Sequence, residues 1–380
     1  MFLERYRSKL RLQQQSGLFR HPPVVERREG KYLICKGRRL LNLASNDYLG
    51  LAMSENLRRR VAANFSRFAS SSSSSRLVSG NFRLLNEAEE ALADFFGYET
   101  ALLFPSGYQA NIGVLTALFE TGDRVVFDKH IHASSVKGLA LSSSTPLGYN
   151  HSDFDHLEKR LRQCSAQVGL VTESLFSMDG DCLDVAALNE LKRKHGFFGV
   201  VDEAHAFGVL GSGGRGLAAD IADVAVGTFG KAFGLFGAFV LLSRELKSYL
   251  LNFSSPQIYT TTLPEAHAAS VMDALDMVAS ADDRRCHLSE MSVWLRRALV
   301  QAGFDVQGDA HILAVRIGEE RRAVQMAQYL FSRGIFLLPA RYPTVPLRNA
   351  ILRISLTALI QPEDLKFFIR ALKEAHASSC

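Results

Sequence analysis

The chain has 380 residues, 47% of them hydrophobic and 22% charged, a composition that excludes gross disorder and leaves room for a large buried core. Lysine plus arginine exceed aspartate plus glutamate by 44 to 39, a surplus of five that is dispersed along the chain. Basic clusters such as Arg58-Arg59-Arg60 and Lys192-Arg193-Lys194 lie in amphipathic helical patterns without interleaved aromatics, which speaks against nucleic-acid binding.

Residues 1 to about 20 alternate apolar and basic positions at helical spacing, and the run HPPVV at 21–25 then breaks the helix. Further along, short apolar runs alternate with longer helical patterns: TALLF (100–104), DRVVF (123–127), QVGLVTE (167–173), FFGVVDE (197–203), DVAVGTF (223–229) and GAFVLLS (237–243). Nearly continuous hydrophobic strands in such alternation predict an α/β fold, a mostly parallel sheet covered by helices on both faces. One long helical stretch over 265–300 precedes a second round: HILAVRIG (311–318), a helix near 320–333, GIFLLPA (334–340), ILRISLTA (351–358) and a final helix. The expected organisation is an N-terminal arm (1–45), a large domain (46–275) and a smaller α+β domain (276–380). Six serines, Ser70–Ser75, fall between helical patterns inside the large domain, where a mobile surface or active-site loop is expected rather than a boundary. The five cysteines are scattered and never spaced C-x-x-C, so neither a disulfide framework nor a structural zinc site is expected. The basic start has no apolar core and no run approaches about eighteen apolar residues, so a cytoplasmic location without membrane contact is expected.

In open α/β sheets a ligand sits beyond the carboxyl ends of the strands. FFGVVDEAHAFG places Asp202 at such an end with His205 three residues on, and the next strand ends in Thr228-Phe229-Gly230-Lys231. A lysine amine condenses with an aldehyde to a Schiff base, and a carboxylate facing a pyridine nitrogen keeps that nitrogen protonated; together they point to pyridoxal phosphate (PLP). Taken singly, Lys231 reads more often as a solvated helix start, and Asp202 often as an N-cap. In LLFPSGYQAN (102–111) a strand, a Ser-Gly turn and a helix start expose the N–H groups of Ser106, Gly107 and Tyr108 to a phosphate. His130 and His132 in DKHIHASSVKG each offer a ring that could stack on a flat cofactor. Gly211 to Gly216 match G-x-G-x-x-G, but eight residues separate them from the strand ending at Asp202 and no acid-ended strand follows at the right distance, so dinucleotide binding is not expected.

The chain resembles the α-oxoamine synthases, a branch of the fold-type I PLP enzymes, nearly end to end. The matching motifs are LASNDYLGLA (43–52), LLFPSGYQAN, HAS (132–134), YNHSDFDHL (149–157), TESLFSMDGD (172–181), VDEAHAFGVLG (201–211), GTFGKAFG (227–234), YTTTLPE (259–265), PTVP (343–346) and LRISLTA (352–358). The resemblance implies that Lys231 carries PLP, Asp202 pairs with the pyridine nitrogen, His205 bonds the ring's 3-oxygen and His132 stacks on the ring. It further implies that Gly107, Tyr108 and Thr228 bind phosphate, that Glu173 and Ser177 line the site, and that Thr261 reaches a neighbouring subunit's phosphate, making a homodimer. Asn46 and Arg353 would face the amino acid, Arg353 as a bidentate fork on its carboxylate, with Thr344 and Arg20 on the acyl side. The implied reaction is decarboxylative condensation of L-alanine with a pimeloyl thioester of coenzyme A or an acyl-carrier protein. Glycine with acetyl-CoA on the same scaffold is the alternative reaction, and a non-catalytic PLP-binding partner subunit is the alternative from another class. Departures from the family pattern are the serine run in place of a glycine-rich loop, Arg348 and Ile351 after PTVP, Ile360 after L-T-A, and Phe236 near the lysine.

Overall fold

The structure, a computed structural model, describes residues 2–164 and 167–378. The opening helix, Phe2–Gln15, leads to three short strands, β1 (Arg27–Glu29), β2 (Tyr32–Cys35) and β3 (Arg38–Asn42). Seven strands of one sheet follow: β4 (Thr100–Phe104), β5 (Arg124–Asp128), β6 (Thr145–Tyr149), β7 (Val168–Glu173), β8 (Phe198–Asp202), β9 (Val224–Thr228) and β10 (Ala238–Leu242). The chain closes with β11 (Val306–Gln307), β12 (Ile312–Gly318), β13 (Ile335–Phe336), β14 (Pro339–Ala340), β15 (Ala350–Ser355) and the helix Pro362–Ser378.

Two compact units result: Leu51–Ser177 with Cys182–Arg285, and Met1–Gly50 with Met178–Asp181 and Cys286–Cys380. The first holds the seven-stranded sheet in the order β4-β10-β9-β8-β7-β5-β6. All its pairings are parallel except those of β10, which runs antiparallel to β4 and β9. The expected α/β class therefore holds. Every residue of β4, β7 and β10 is buried, as a sheet covered on both faces requires.

Alternation along these strands divides the core. Val125 and Val171 face one cluster with Leu102, Val114, Leu115 and Leu139, whereas Val126 and Leu170 face another with Leu157, Leu161 and Leu188. The first cluster is roofed by the helices Gly107–Leu118 and Ala133–Leu141. Gly138 sets how closely these two helices approach: a Cβ there would lie 2.9 Å from Leu115 Cδ1 and 3.1 Å from the Asn111 carbonyl.

The other unit holds two four-stranded sheets, β1-β2-β3-β13 and β11-β12-β15-β14. The single apolar run read at 334–340 is thus two short strands in different sheets. The long helical stretch at 265–300 is also two elements, Glu265–Ala279 and Asp282–Gln301. No helix among the described residues is long and apolar enough to cross a membrane.

The serine run lies inside the sheet-bearing unit and is held by backbone contacts to the segment after the helix Ser255–Tyr259. Ser72 Oγ donates to the Thr262 carbonyl at 2.8 Å, Thr262 N–H donates to the Ser74 carbonyl at 3.0 Å, and Ser75 bridges Thr261. Just beyond, buried Arg76 pairs with fully buried Glu89, which also accepts from Lys247 Nζ at 2.8 Å and from the Leu103 N–H at 2.8 Å.

Candidate active site

The polar residues singled out at strand ends gather along the carboxyl edge of the large sheet. Glu173 ends β7 and Asp202 ends β8, and they are register partners. Val171 and Glu173, like Val200 and Asp202, alternate onto the face roofed by the Gly107–Leu118 and Ala133–Leu141 helices. Asp202 Oδ2 accepts from Asn111 Nδ2 at 2.8 Å and Oδ1 from the Ala204 N–H at 2.9 Å. Glu173 is 2% exposed and accepts the N–H groups of His132 and, at 3.3 Å, Ser177. Burial pushes the Glu173 carboxyl well above the usual carboxylate range, the Asp202 charge pushes the same way, and the Lys231 ammonium opposes both.

His132 is the N-cap of the helix Ala133–Leu141, and its Nδ1 accepts the Ser134 N–H at 3.2 Å. Packing around the imidazole lowers its pKa, with Asp202 acting against and Lys231 with that trend. Lys231 follows β9 in a turn closed by the Gly234 N–H on the Lys231 carbonyl at 3.0 Å. A side chain at Gly234, with φ of +67°, would lie 2.4 Å from the Ala52 nitrogen, so glycine is required there.

Phe104, Ala238 and Thr228 stand level across β4, β10 and β9, so the turn after β4 lies beside the end of β9. A Cβ on Gly107 would sit 3.8 Å from Thr228 Cβ. Ser106 caps the helix through Gln109 N–H at 3.2 Å. The N–H groups of Gly107 and Tyr108 make no hydrogen bond among the described residues. Thr228 Oγ1 donates to the Gly237 carbonyl at 3.0 Å and accepts the Gly230 N–H at 3.1 Å. Helix N–H groups and a hydroxyl of this kind suit a phosphate. Buried His205 and Ser177 belong to the same unit, as does exposed Thr261 in its bridge with Ser75.

Of the two histidines offered by DKHIHAS, His132 joins Asp202 and Lys231. His130 instead stacks on His151, ring centroids 4.1 Å apart. The glycine run 211–216 is a tight loop with a short 3-10 turn, not a strand-to-helix turn, and a Cβ on Gly211 would overlap the Gly216 carbonyl oxygen at 1.8 Å.

In the other unit, Asn46 Oδ1 accepts from Arg353 Nη1 and Nη2 and from Ser355 Oγ, each at 3.4 Å, and from Tyr48 Oη at 3.2 Å. Burial raises the Tyr48 hydroxyl to about 12, with Arg353 opposing. Arg20 Nη2 donates to Thr344 Oγ1 at 3.4 Å, and both line a cleft of 340 Å³ with Leu18, Pro22, Leu338 and Tyr342.

Two polar side chains of the sheet-bearing unit were overlooked in the sequence. Asn111 and Ser134, 3% and 0% exposed, stand between Asp202 and His132. Their signal was an amide and a hydroxyl on the inward faces of two helices. Glu203, 1% exposed, points to the opposite face from Asp202 and accepts from Ser174 Oγ at 2.5 Å and the Ala218 N–H at 2.7 Å.

A lysine and a carboxylate held as an acceptor, beside an anion-ready helix start at the carboxyl edge of a mostly parallel sheet, fit PLP and define a PLP-dependent enzyme of fold type I. Comparison with known proteins agrees. Residues 38–372 match the family model "Aminotransferase class I and II". An 8-amino-7-oxononanoate synthase of Chlorobaculum parvum is 40% identical over 377 residues, 96% of this chain and 95% of that one. A Sphingomonas wittichii serine palmitoyltransferase structure superposes with a TM-score of 0.92 at 28% identity, covering 98% of this chain and 96% of that chain. An 8-amino-7-oxononanoate synthase from Francisella tularensis gives 0.78 at 26% identity, covering 89% and 98%. The chain belongs to the aminotransferase class I and II family and, within it, to the α-oxoamine synthases, with PLP as cofactor.

Proposed function

We propose that the enzyme condenses L-alanine with a pimeloyl thioester, with loss of carbon dioxide, to give 8-amino-7-oxononanoate for biotin biosynthesis. The observation that carries this reading is the gathering of Lys231, Asp202, Glu173 and His132 at one sheet edge in a chain 40% identical to a relative of that name.

When bound, PLP supplies an electron sink that stabilises negative charge at the amino acid's α-carbon. Lys231 would hold the cofactor through Nζ, and as a free amine it would carry the α-proton on that atom. Asp202 keeps a proton at the ring nitrogen, His205 bonds the 3-oxygen, and His132 covers the ring and excludes water from it. Gly107, Tyr108 and Thr228 hold the phosphate, while Glu173 and Ser177 line the site. Thr261 serves the phosphate of a neighbouring subunit in a homodimer. Arg353, oriented by Asn46, takes the substrate carboxylate as a planar fork, and Arg20 and Thr344 take the acyl chain.

Purified protein should be yellow and bleach with borohydride, and alanine with pimeloyl thioester should yield a product of the mass of 8-amino-7-oxononanoate. Paired assays with the coenzyme A and carrier-protein thioesters identify the donor. A colourless protein that takes up no added PLP, or faster turnover of glycine with acetyl-CoA, would overturn the proposal.

A further inference from the structure

Asn111 and Ser134 connect His132 to Asp202 through an unbroken line of hydrogen bonds. His132 Nδ1 lies 2.7 Å from Ser134 Oγ, Ser134 Oγ lies 2.9 Å from Asn111 Nδ2, and Asn111 Nδ2 lies 2.8 Å from Asp202 Oδ2. Each link taken alone could run in either direction, since a hydroxyl rotates, an amide flips and an imidazole has two tautomers.

One member of the line has no such freedom. The backbone N–H of Ser134 also points at His132 Nδ1, at 3.2 Å, and a backbone N–H can only donate. Nδ1 is therefore unprotonated. It then accepts the Ser134 hydroxyl hydrogen as well, which leaves Ser134 Oγ to accept from the Asn111 amide. The second hydrogen of that same NH₂ group is aimed at Asp202 Oδ2, which must accept. Asp202 Oδ1 is likewise committed, to the Ala204 N–H at 2.9 Å. Each Asp202 oxygen thus faces a donor.

We infer that Asn111 and Ser134 are positioning residues which, with polarity fixed by the Ser134 backbone N–H, hold His132 as the neutral Nε2–H tautomer and keep an amide N–H turned toward Asp202. The inference rests on the reading of His132 and Asp202 as the partners of the cofactor ring. It explains why a buried amide and a buried hydroxyl face each other between the two helices. Asparagine is required at 111 because aspartate would present an acceptor to Asp202 and leucine would present nothing. The geometry depends on the close approach of the two helices at Gly138, where the Asn111 carbonyl lies 3.1 Å from the site of a Cβ.

The test uses full-length PLP-loaded protein with ¹⁵N-labelled histidine. Wild-type His132 should show a single neutral tautomer protonated at Nε2 at neutral pH. Asn111→Leu leaves both donors to Nδ1 in place, so the tautomer should persist while kcat falls about tenfold, the cost of an acceptor deprived of one donor. Ser134→Ala removes one of the two donors to Nδ1 and the hydroxyl that orients the amide, and should show a similar fall in kcat with the KM for the amino acid within about twofold. Ser134→Thr keeps the hydroxyl and should restore kcat. An Nδ1-protonated or charged His132 in wild type, or wild-type kcat in both Asn111→Leu and Ser134→Ala, would overturn the inference. Failure of the proposed reaction shows separately, as absent turnover in a wild-type protein whose tautomer is still read directly.

Discussion

Glu173 and Asp202 are register partners at the ends of adjacent parallel strands, two carboxyl groups on one face of the sheet with unequal surroundings. Each carboxyl has a donor on each oxygen, Asp202 from Asn111 and Ala204 and Glu173 from His132 and Ser177, but Glu173 is almost fully buried and pushed well above the usual carboxylate range. Like charges at adjacent strand ends do not both ionise freely, and burial makes Glu173 the one that resists ionisation. The two positions should differ sharply on neutralisation. Asp202→Asn should lower kcat by about a thousandfold, whereas Glu173→Gln should cost about tenfold, because its NH₂ would face a backbone N–H that Glu173 now accepts. Steady-state kinetics of the two purified variants decide it, and comparable losses would refute the assignment.

Lys231→Ala should abolish the borohydride-sensitive colour and lower kcat by at least about a thousandfold while the melting temperature of the cofactor-free protein stays within a few degrees. Backbone contacts and Gly234 organise the turn around Lys231, so the fold should survive removal of the side chain.

Arg353→Lys tests the carboxylate grip. The guanidinium presents Nη1 and Nη2 together to Asn46, a planar arrangement that an ammonium cannot reproduce. The KM for the amino acid should rise about tenfold or more with a smaller change in kcat. An unchanged KM would remove Arg353 from the substrate's path.

Six of the seven strands of the large sheet were legible as continuous apolar runs, because both faces are buried and no alternation is needed. The seventh, β6, was missed. It carries Pro146 and Gly148 and pairs only with β5, and proline is tolerated at a sheet edge where its missing N–H faces no neighbour. At the candidate site, the residues at strand ends could be placed because the direction of a parallel strand fixes which end meets ligand. Asn111 and Ser134 could not, since their meeting depends on two helices touching across Gly138, which no spacing in the sequence encodes. Ile360 illustrates the same point. Where family members often carry a histidine, this chain buries an isoleucine whose carbonyl accepts from His287 Nε2 at 2.7 Å.

Arg76 ties the serine run to the sheet, and its loss should be felt in stability first. Its guanidinium pairs with Glu89, beneath which Lys247 and the Leu103 N–H also converge. Arg76→Ala leaves Glu89 buried with half its cationic company, a change that costs about 3–5 kcal/mol when one partner of a buried pair is removed. The melting temperature should drop, and protease cleavage within 70–75 should accelerate as the bridge between Ser75 and Thr261 loosens. Arg76→Met, which keeps the volume, should cost nearly as much, because the lost cation beside buried Glu89 rather than the cavity dominates.

Glu203 gives a stability that depends on pH with a sign opposite to that of a salt-bridged acid. Burial raises its carboxyl from 4.5 to about 7, against the bonds from Ser174, Ala218 and Leu217 that favour the ion. Between these values the folded protein holds a proton that the unfolded chain has released. Stability from this group is complete below about 4.5 and is lost as pH rises through 7. Each tenfold in proton affinity is worth about 1.4 kcal/mol, so the loss reaches about 3 kcal/mol by pH values above 8. Glu203→Gln carries no titration, and its amide can still accept from Ala218 and donate to Ser174. Thermal unfolding of both proteins at pH 5 and pH 8 should show the wild type losing more of its melting temperature than the variant. Equal losses would mean that the three donors hold Glu203 ionised throughout.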